Sequence, residues 1–147
     1  MIPEYRLYHG AVLSELLHRS GALKIRQIER EGRPLNYVVN ESVGLQIRHA
    51  TQKLRPWSFT FSKERISSLR RLRKRFDATF VVLVCHTEGF VCVHLDDVLE
   101  SFVAAASEIS WLRVDRTKRR QYRLFGPNGP FLRAYPAGPQ PIVDELL

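Results

Sequence analysis

The residues able to carry chemistry are few in this chain, and most lack the spacing that chemistry requires. His9, His18, His49, His86 and His94 show no metal-ligand pattern and read as structural or solvated. Cys85 and Cys92 flank a short turn within apolar segments. That placement suggests cross-strand neighbours and favours inert core thiols over a redox pair. The run Gly126-Pro-Asn-Gly-Pro is no phosphate cradle, because proline lacks the N–H that such cradles use. Asp96-Asp97 and Asp144-Glu145 are adjacent carboxylates, a pattern that serves caps and solvated charge.

What remains is arginine. Residues 62–75 hold Lys63, Arg65, Arg70, Arg71, Arg73, Lys74 and Arg75 against Glu64 alone. Residues 110–135 hold Arg113, Arg116, Lys118, Arg119, Arg120, Arg123 and Arg133 against Asp115 alone. Each segment carries a net +6, while the whole chain carries +8, so the remainder is acidic. The planar guanidinium fork binds phosphate bidentately, so arginine-rich segments point to polyanions. The packed cations at 116–120 repel one another unless a counter-charge arrives, which favours a functional surface. The expected phosphate contacts are Arg70, Arg71, Lys74, Arg75, Arg116, Lys118, Arg119 and Arg120. Trp111, Tyr122 and Phe125 lie among these cations. Exposed, they would stack on bases; buried, they would fill a hairpin core, and Trp111 is read as core-facing.

The elements that must position these groups can be read from periodicity. Val12, Leu13, Leu16 and Leu17 share one face of a helix that Gly21 stops. Leu23 and Ile25 alternate with Lys24 and Arg26, as in a strand, and Gly32-Arg-Pro makes a turn. Two strands follow, at 35–40 and 43–50, the second alternating Val43, Leu45 and Ile47 with Gly44, Gln46 and Arg48. A polar linker at 51–56 precedes a short strand at 57–61. Ser62 reads as the N-cap of a second helix, about 63–76, with Ile66, Leu69, Leu72 and Phe76 on one face. Arg65 and Arg73 sit near that apolar arc and are expected to snorkel.

Residues 78–85 are apolar without alternation, as expected of a strand buried on both faces at the centre of a sheet. A turn at 86–89 leads to a strand at 90–93, and Asp96 caps a third helix at about 97–106. Strands at 111–114, 121–125 and 131–135 follow, and the proline-rich 136–141 reads as irregular. The C-terminal residues 142–147 are apolar enough to pack on the domain or on a second subunit.

The 147 residues suit one α+β domain, a mixed sheet of about five to seven strands flanked by helices. Its core is expected at about 8–106, with a basic β-rich extension at 110–147. A 44% hydrophobic, 26% charged composition is that of a globular chain. The net +8 and pI of about 10.0 favour an anionic partner, DNA or RNA. No segment fits a signal peptide or a membrane span, so a cytoplasmic protein without membrane partners is expected.

The order helix, three strands, helix, buried strand resembles the α-β-β-β-α-β core of the PD-(D/E)XK nuclease superfamily. The similarity is to its restriction-endonuclease-like and Holliday-junction-resolvase-like members. That resemblance implies a Glu from the first helix, an Asp from the second strand, and an acid-X-Lys triplet on the third, together binding Mg²⁺. The matching positions here are Glu15 on the helix and Glu41 just after the second strand. The triplet position reads Gln46-Ile47-Arg48, and Lys53 follows in the linker. An amide is a poor Mg²⁺ ligand and an arginine cannot give up a proton. The resemblance therefore implies a catalytically degenerate nuclease-like domain that binds nucleic acid, with no metal or cofactor. The alternatives are an Mg- or Mn-dependent nuclease using Glu15, Glu41, Gln46, Arg48 and Lys53, and a protein-interaction module docking an acidic partner. Gln46 and Arg48 are then either contact residues or the solvent face of an amphipathic strand.

Overall fold

The computed structural model describes residues 1–28, 36–102 and 109–147. The turn expected at 32–34, the start of the strand expected at 35, and the tail of the third helix at 103–106 lie outside them. The described residues form a mixed α+β structure with two sheets and four helices. The elements run α1 (Glu4–Ser20), β1 (Ile25–Ile28), β2 (Asn36–Val39), β3 (Val43–His49), β4 (Trp57–Phe61) and α2 (Lys63–Arg75). They continue with β5 (Ala78–Val84), β6 (Phe90–His94), α3 (Leu95–Phe102), β7 (Ser110–Asp115), β8 (Arg123–Gly126), β9 (Gly129–Pro130) and α4 (Gln140–Leu146).

The central sheet has the order β1-β2-β3-β5-β6. β3 and β5 are parallel, in register from Val43↔Ala78 to His49↔Val84, and the other pairs are antiparallel. A parallel pair needs a long crossover, and α2 supplies it. Ser62 caps that helix, its hydroxyl accepting the Arg65 N–H at 3.3 Å. The run at 78–84 is buried on both faces, as its lack of alternation implies.

Alternation along β3 divides the core in two. Val43, Leu45 and Ile47 join Val12 and Leu16 of α1 and Ile142 of α4 in one apolar cluster. The opposite face of β5 and β6 (Val81, Leu83, Val91, Val93) packs with α2, α3 and the inward side chains of a second sheet. That second sheet runs β4-β7-β8-β9. A single sheet of five to seven strands is thus corrected to two sheets of five and four strands. The strand at 57–61 leaves the central sheet because Trp57, Phe59 and Phe61 bury only one side and Ser58 and Thr60 stay exposed.

Other expectations change for physical reasons. Leu17 is exposed, because the α1 stripe in contact with the sheet is narrow. No strand forms over 131–135; Tyr135 makes one isolated bridge to Tyr122. The C-terminal segment is helical and packs on the domain, with Pro141 inside its first turn, where no intrahelical N–H is needed. Cys85 and Cys92 are not partners: Cys92 pairs with Val82, and the two thiols point into the clusters on opposite faces. Both are free and buried, and burial pushes the Cys85 thiol up to about 12.

Two close fits hold the helices to the sheet. At Gly44 any Cβ would sit 2.8 Å from Leu72 Cδ1 and 3.0 Å from Phe76 Cδ2, so the absence of a side chain lets α2 approach β3. On the other face, His9 of α1 is buried, with Nδ1 2.8 Å from the Tyr37 hydroxyl. Tyr8 stacks on His49 at 4.7 Å between ring centroids. Burial lowers the His9 pKa to about 4, with His49 and Arg65 adding repulsion and the Ile47 main chain partly offsetting it.

Gly44→Ala is expected to destabilise the fold by about 1–3 kcal/mol in urea unfolding, the usual cost of overpacking a filled core. His9 binds its proton more weakly folded than unfolded, so the unfolded state takes up more protons between about pH 6.5 and 4. Stability is therefore full above that window and is lost as pH falls through it, by on the order of 2 kcal/mol. His9→Phe should flatten this part of a pH–stability profile; an unchanged profile would assign it to other groups.

Candidate nucleic-acid interface

The residues suggested by the nuclease resemblance do not converge. Gln46 is fully buried, so neither reading that left it on the surface holds. It points at α2, where its Nε2 donates to Asn36 Oδ1 at 3.0 Å and Asn36 Nδ2 donates to Ser68 Oγ at 2.9 Å. Its Oε1 is buried without a partner. Arg48 lies on the same face and is largely covered rather than a solvent-facing residue. Its Nη2 donates to the Thr60 carbonyl at 2.7 Å and its guanidinium lies 4.6 Å from the Phe61 ring centroid. Burial, with Arg65 nearby, lowers its pKa to about 10.

Glu15 sits on α1, across the central sheet from Gln46, because α1 packs on the Val43, Leu45 and Ile47 side. Glu41 belongs to the turn between β2 and β3. Asn40 and Glu41 both take positive φ there, 51° and 55°, as a tight hairpin turn of this hand requires. Arg26 grips its carboxylate at 3.0 and 2.8 Å, and Lys24 lies at 3.7 Å. The Arg26 hydrogen bonds hold that carboxyl down to about 2. Glu41 lies beyond the start of β3, and the three strand steps from Val43 to Gln46 alone span about 10 Å. Lys53 is exposed in the loop that leaves β3. Among the described residues no three His, Cys, Asp or Glu side chains could hold a metal ion. These residues do not fit a divalent-metal centre.

The basic segments fall on two separate surfaces. α2 runs antiparallel to β3, with Ser68 beside Gln46 and Leu72 over Gly44. Arg70, Arg71, Lys74 and Arg75 are exposed on it and lie toward the start of β3 and β5. Arg73 is used internally, its Nε bonding Asp96 at 2.6 Å. The loop at 116–120 lies past the other end of β5, where Arg116 reaches Glu88 in the β5–β6 turn at 3.6 Å. The seven residues of β5 put about 20 Å between the two surfaces.

Within that loop Arg116 is committed to structure. Its Nε donates to the Arg120 carbonyl at 2.6 Å and its guanidinium lies 4.9 Å from the Tyr122 ring centroid. Those bonds close the loop so that Lys118, Arg119 and Arg120 project into solvent, with Arg119 at φ 62°. None of these three forms an ion pair among the described residues.

Beside the loop lies the outward face of the second sheet. Strict alternation in β7 turns Ser110, Leu112 and Val114 inward and Trp111 and Arg113 outward. Trp111 is 40% exposed, which corrects its reading as a core residue. Tyr122 is fully buried and Phe125 half-buried. Arg113 lies opposite Phe125, and Asp115 opposite Arg123. The Arg113 guanidinium rests 5.6 Å from the Trp111 ring centroid. Arg113 and Arg123 join the candidate residues here; the period-2 pattern at 110–115 was the signal that could have found Arg113.

In comparisons with known proteins, the chain matches no family model, no curated protein and no solved structure. No helix among the described residues is long and apolar enough to cross a membrane.

Placing an acid at position 46 should not build a metal site. Gln46→Glu is expected to show no saturable Mn²⁺ binding by calorimetry, because Glu15 and Glu41 remain out of reach. Stoichiometric binding would show that the sheet rearranges to gather them.

Proposed function

We propose that this protein binds nucleic acid through phosphate contacts and does not cleave it. The observation that carries this reading is the cation set of the 117–120 loop and the neighbouring sheet face. Arg113, Lys118, Arg119, Arg120 and Arg123 are exposed there and form no ion pair among the described residues. Exposed, unneutralised arginines at this density repel one another and attract a polyanion. The exposed side of α2, with Arg70, Lys74 and Arg75, is a second contact surface in this reading, reached by a longer strand.

The element order α1, β1-β2-β3, α2, β5 is compatible with the nuclease-like core that the sequence resembles, with β4 and the second sheet as additions. The separation of Glu15 and Glu41 from Gln46 supports a core without metal-dependent cleavage. An acidic protein would also be drawn to these cations, and competition separates the two cases.

The test is fluorescence anisotropy with labelled DNA and RNA across a salt series. Arg119→Ala with Arg120→Ala is expected to weaken binding about tenfold or more whatever the sequence. It should also reduce the salt slope by about 2, since each neutralised phosphate contributes about 0.9. Unchanged affinity would remove the loop from the interface. Oligonucleotide length should stay constant when Mn²⁺ is added; shortening would establish a nuclease.

A further inference from the structure

The outward face of the second sheet combines three features that phosphate binding alone does not call for. The first is aromatic. Trp111 on β7 and Phe125 on β8 are diagonal neighbours on that face, because Phe125 pairs with Arg113, two residues on from Trp111. Diagonal positions on an antiparallel pair stand about 7–8 Å apart. Neighbouring bases of an extended strand can reach two rings at that spacing.

The second feature is the placement of charge. Arg113 lies directly opposite Phe125 and against the Trp111 ring, and Arg123 precedes Phe125 on the same side of β8. Cations therefore flank each aromatic ring, as a backbone that passes beside stacked bases requires. The nearby carboxylate, Asp115, is engaged by Arg55 at 3.3 Å and does not cancel them.

The third is shape. An open pocket of about 570 Å³ adjoins this face, with Phe125, Arg119, Arg120, Gln121 and Arg123 in its wall together with Asp115, whose carboxylate is paired with Arg55. Aromatic, amide and guanidinium groups in one wall match the π-face, polar edge and phosphate of a single nucleotide.

We propose that this face binds single-stranded nucleic acid, with Trp111 and Phe125 as stacking platforms and Arg113, Arg119, Arg120 and Arg123 as phosphate contacts. The proposal rests on the nucleic-acid reading above and narrows it to unpaired strands. Bases in a duplex are stacked on both sides and cannot offer a face to Trp111. Among the described residues the outward face of this sheet carries no helix that could enter a groove. DNA and RNA share this chemistry, since every base has a π-face.

The experiment measures binding of a labelled oligothymidylate, an oligouridylate and a duplex of the same length, at one salt concentration, to the wild-type chain and to Trp111→Ala. The wild type is expected to bind single strands about tenfold more tightly than the duplex. Trp111→Ala should lose about tenfold on single strands and nothing on the duplex, and Trp111→Phe should recover most of the loss. Bound oligothymidylate should also quench tryptophan emission, a signal from Trp111, since Trp57 is buried. Circular dichroism of Trp111→Ala should match the wild type, because the side chain faces outward. Equal affinity for both forms, unchanged in Trp111→Ala but lowered in the Arg119→Ala, Arg120→Ala variant, would overturn stacking and leave phosphate binding standing. Failure of all three probes to bind at low salt would overturn both.

Discussion

The constraint on which the rest of the structure depends is the burial of the parallel pair β3–β5 on both faces. Two strands lying side by side in the same direction cannot be joined by a tight turn, so the chain must cross over, and α2 is that crossover. With α2 on one side, the other side of β3 still offers Val43, Leu45 and Ile47, and α1 and α4 cover it. Gly44 sets how closely α2 can lie. The polar contacts of Gln46, Asn36 and Ser68 then lie within that interface, where hydrogen bonds offset the cost of burying them.

The same constraint disposes of the acidic constellation that a nuclease would need. A strand buried on both sides sends alternate residues into different clusters. Gln46 and Arg48 therefore face α2, while Glu15 rides on the helix at the opposite side. Glu41 is held at the hairpin end by two cations, and its charge is spent on closing that turn. The second sheet buries one face and exposes the other, and its cations lie on the exposed side.

Arginines that looked alike in the sequence have different work in the fold. Arg48 and Arg116 reach backbone carbonyls and lie over aromatic rings; Arg73 and Arg133 pair with Asp96 and Asp97. Arg113, Arg119, Arg120 and Arg123 remain exposed. Guanidinium has enough donors and enough apolar surface to serve either purpose, so its role follows from what surrounds it.

By itself the sequence determined the local elements and the charge. Alternation marked β3, the unbroken apolar run marked β5, Ser62 marked the start of α2, and the counts placed two clusters of positive charge. Those signals depend on neighbours along the chain, through helix and strand periodicity and capping. Only the tertiary structure decided which strands share a sheet, that Cys85 and Cys92 are kept apart, that Trp111 faces solvent and that Gln46 does not. Alternation shows that a strand has two faces; what covers each face depends on residues distant in the chain, and that is settled when the layers pack.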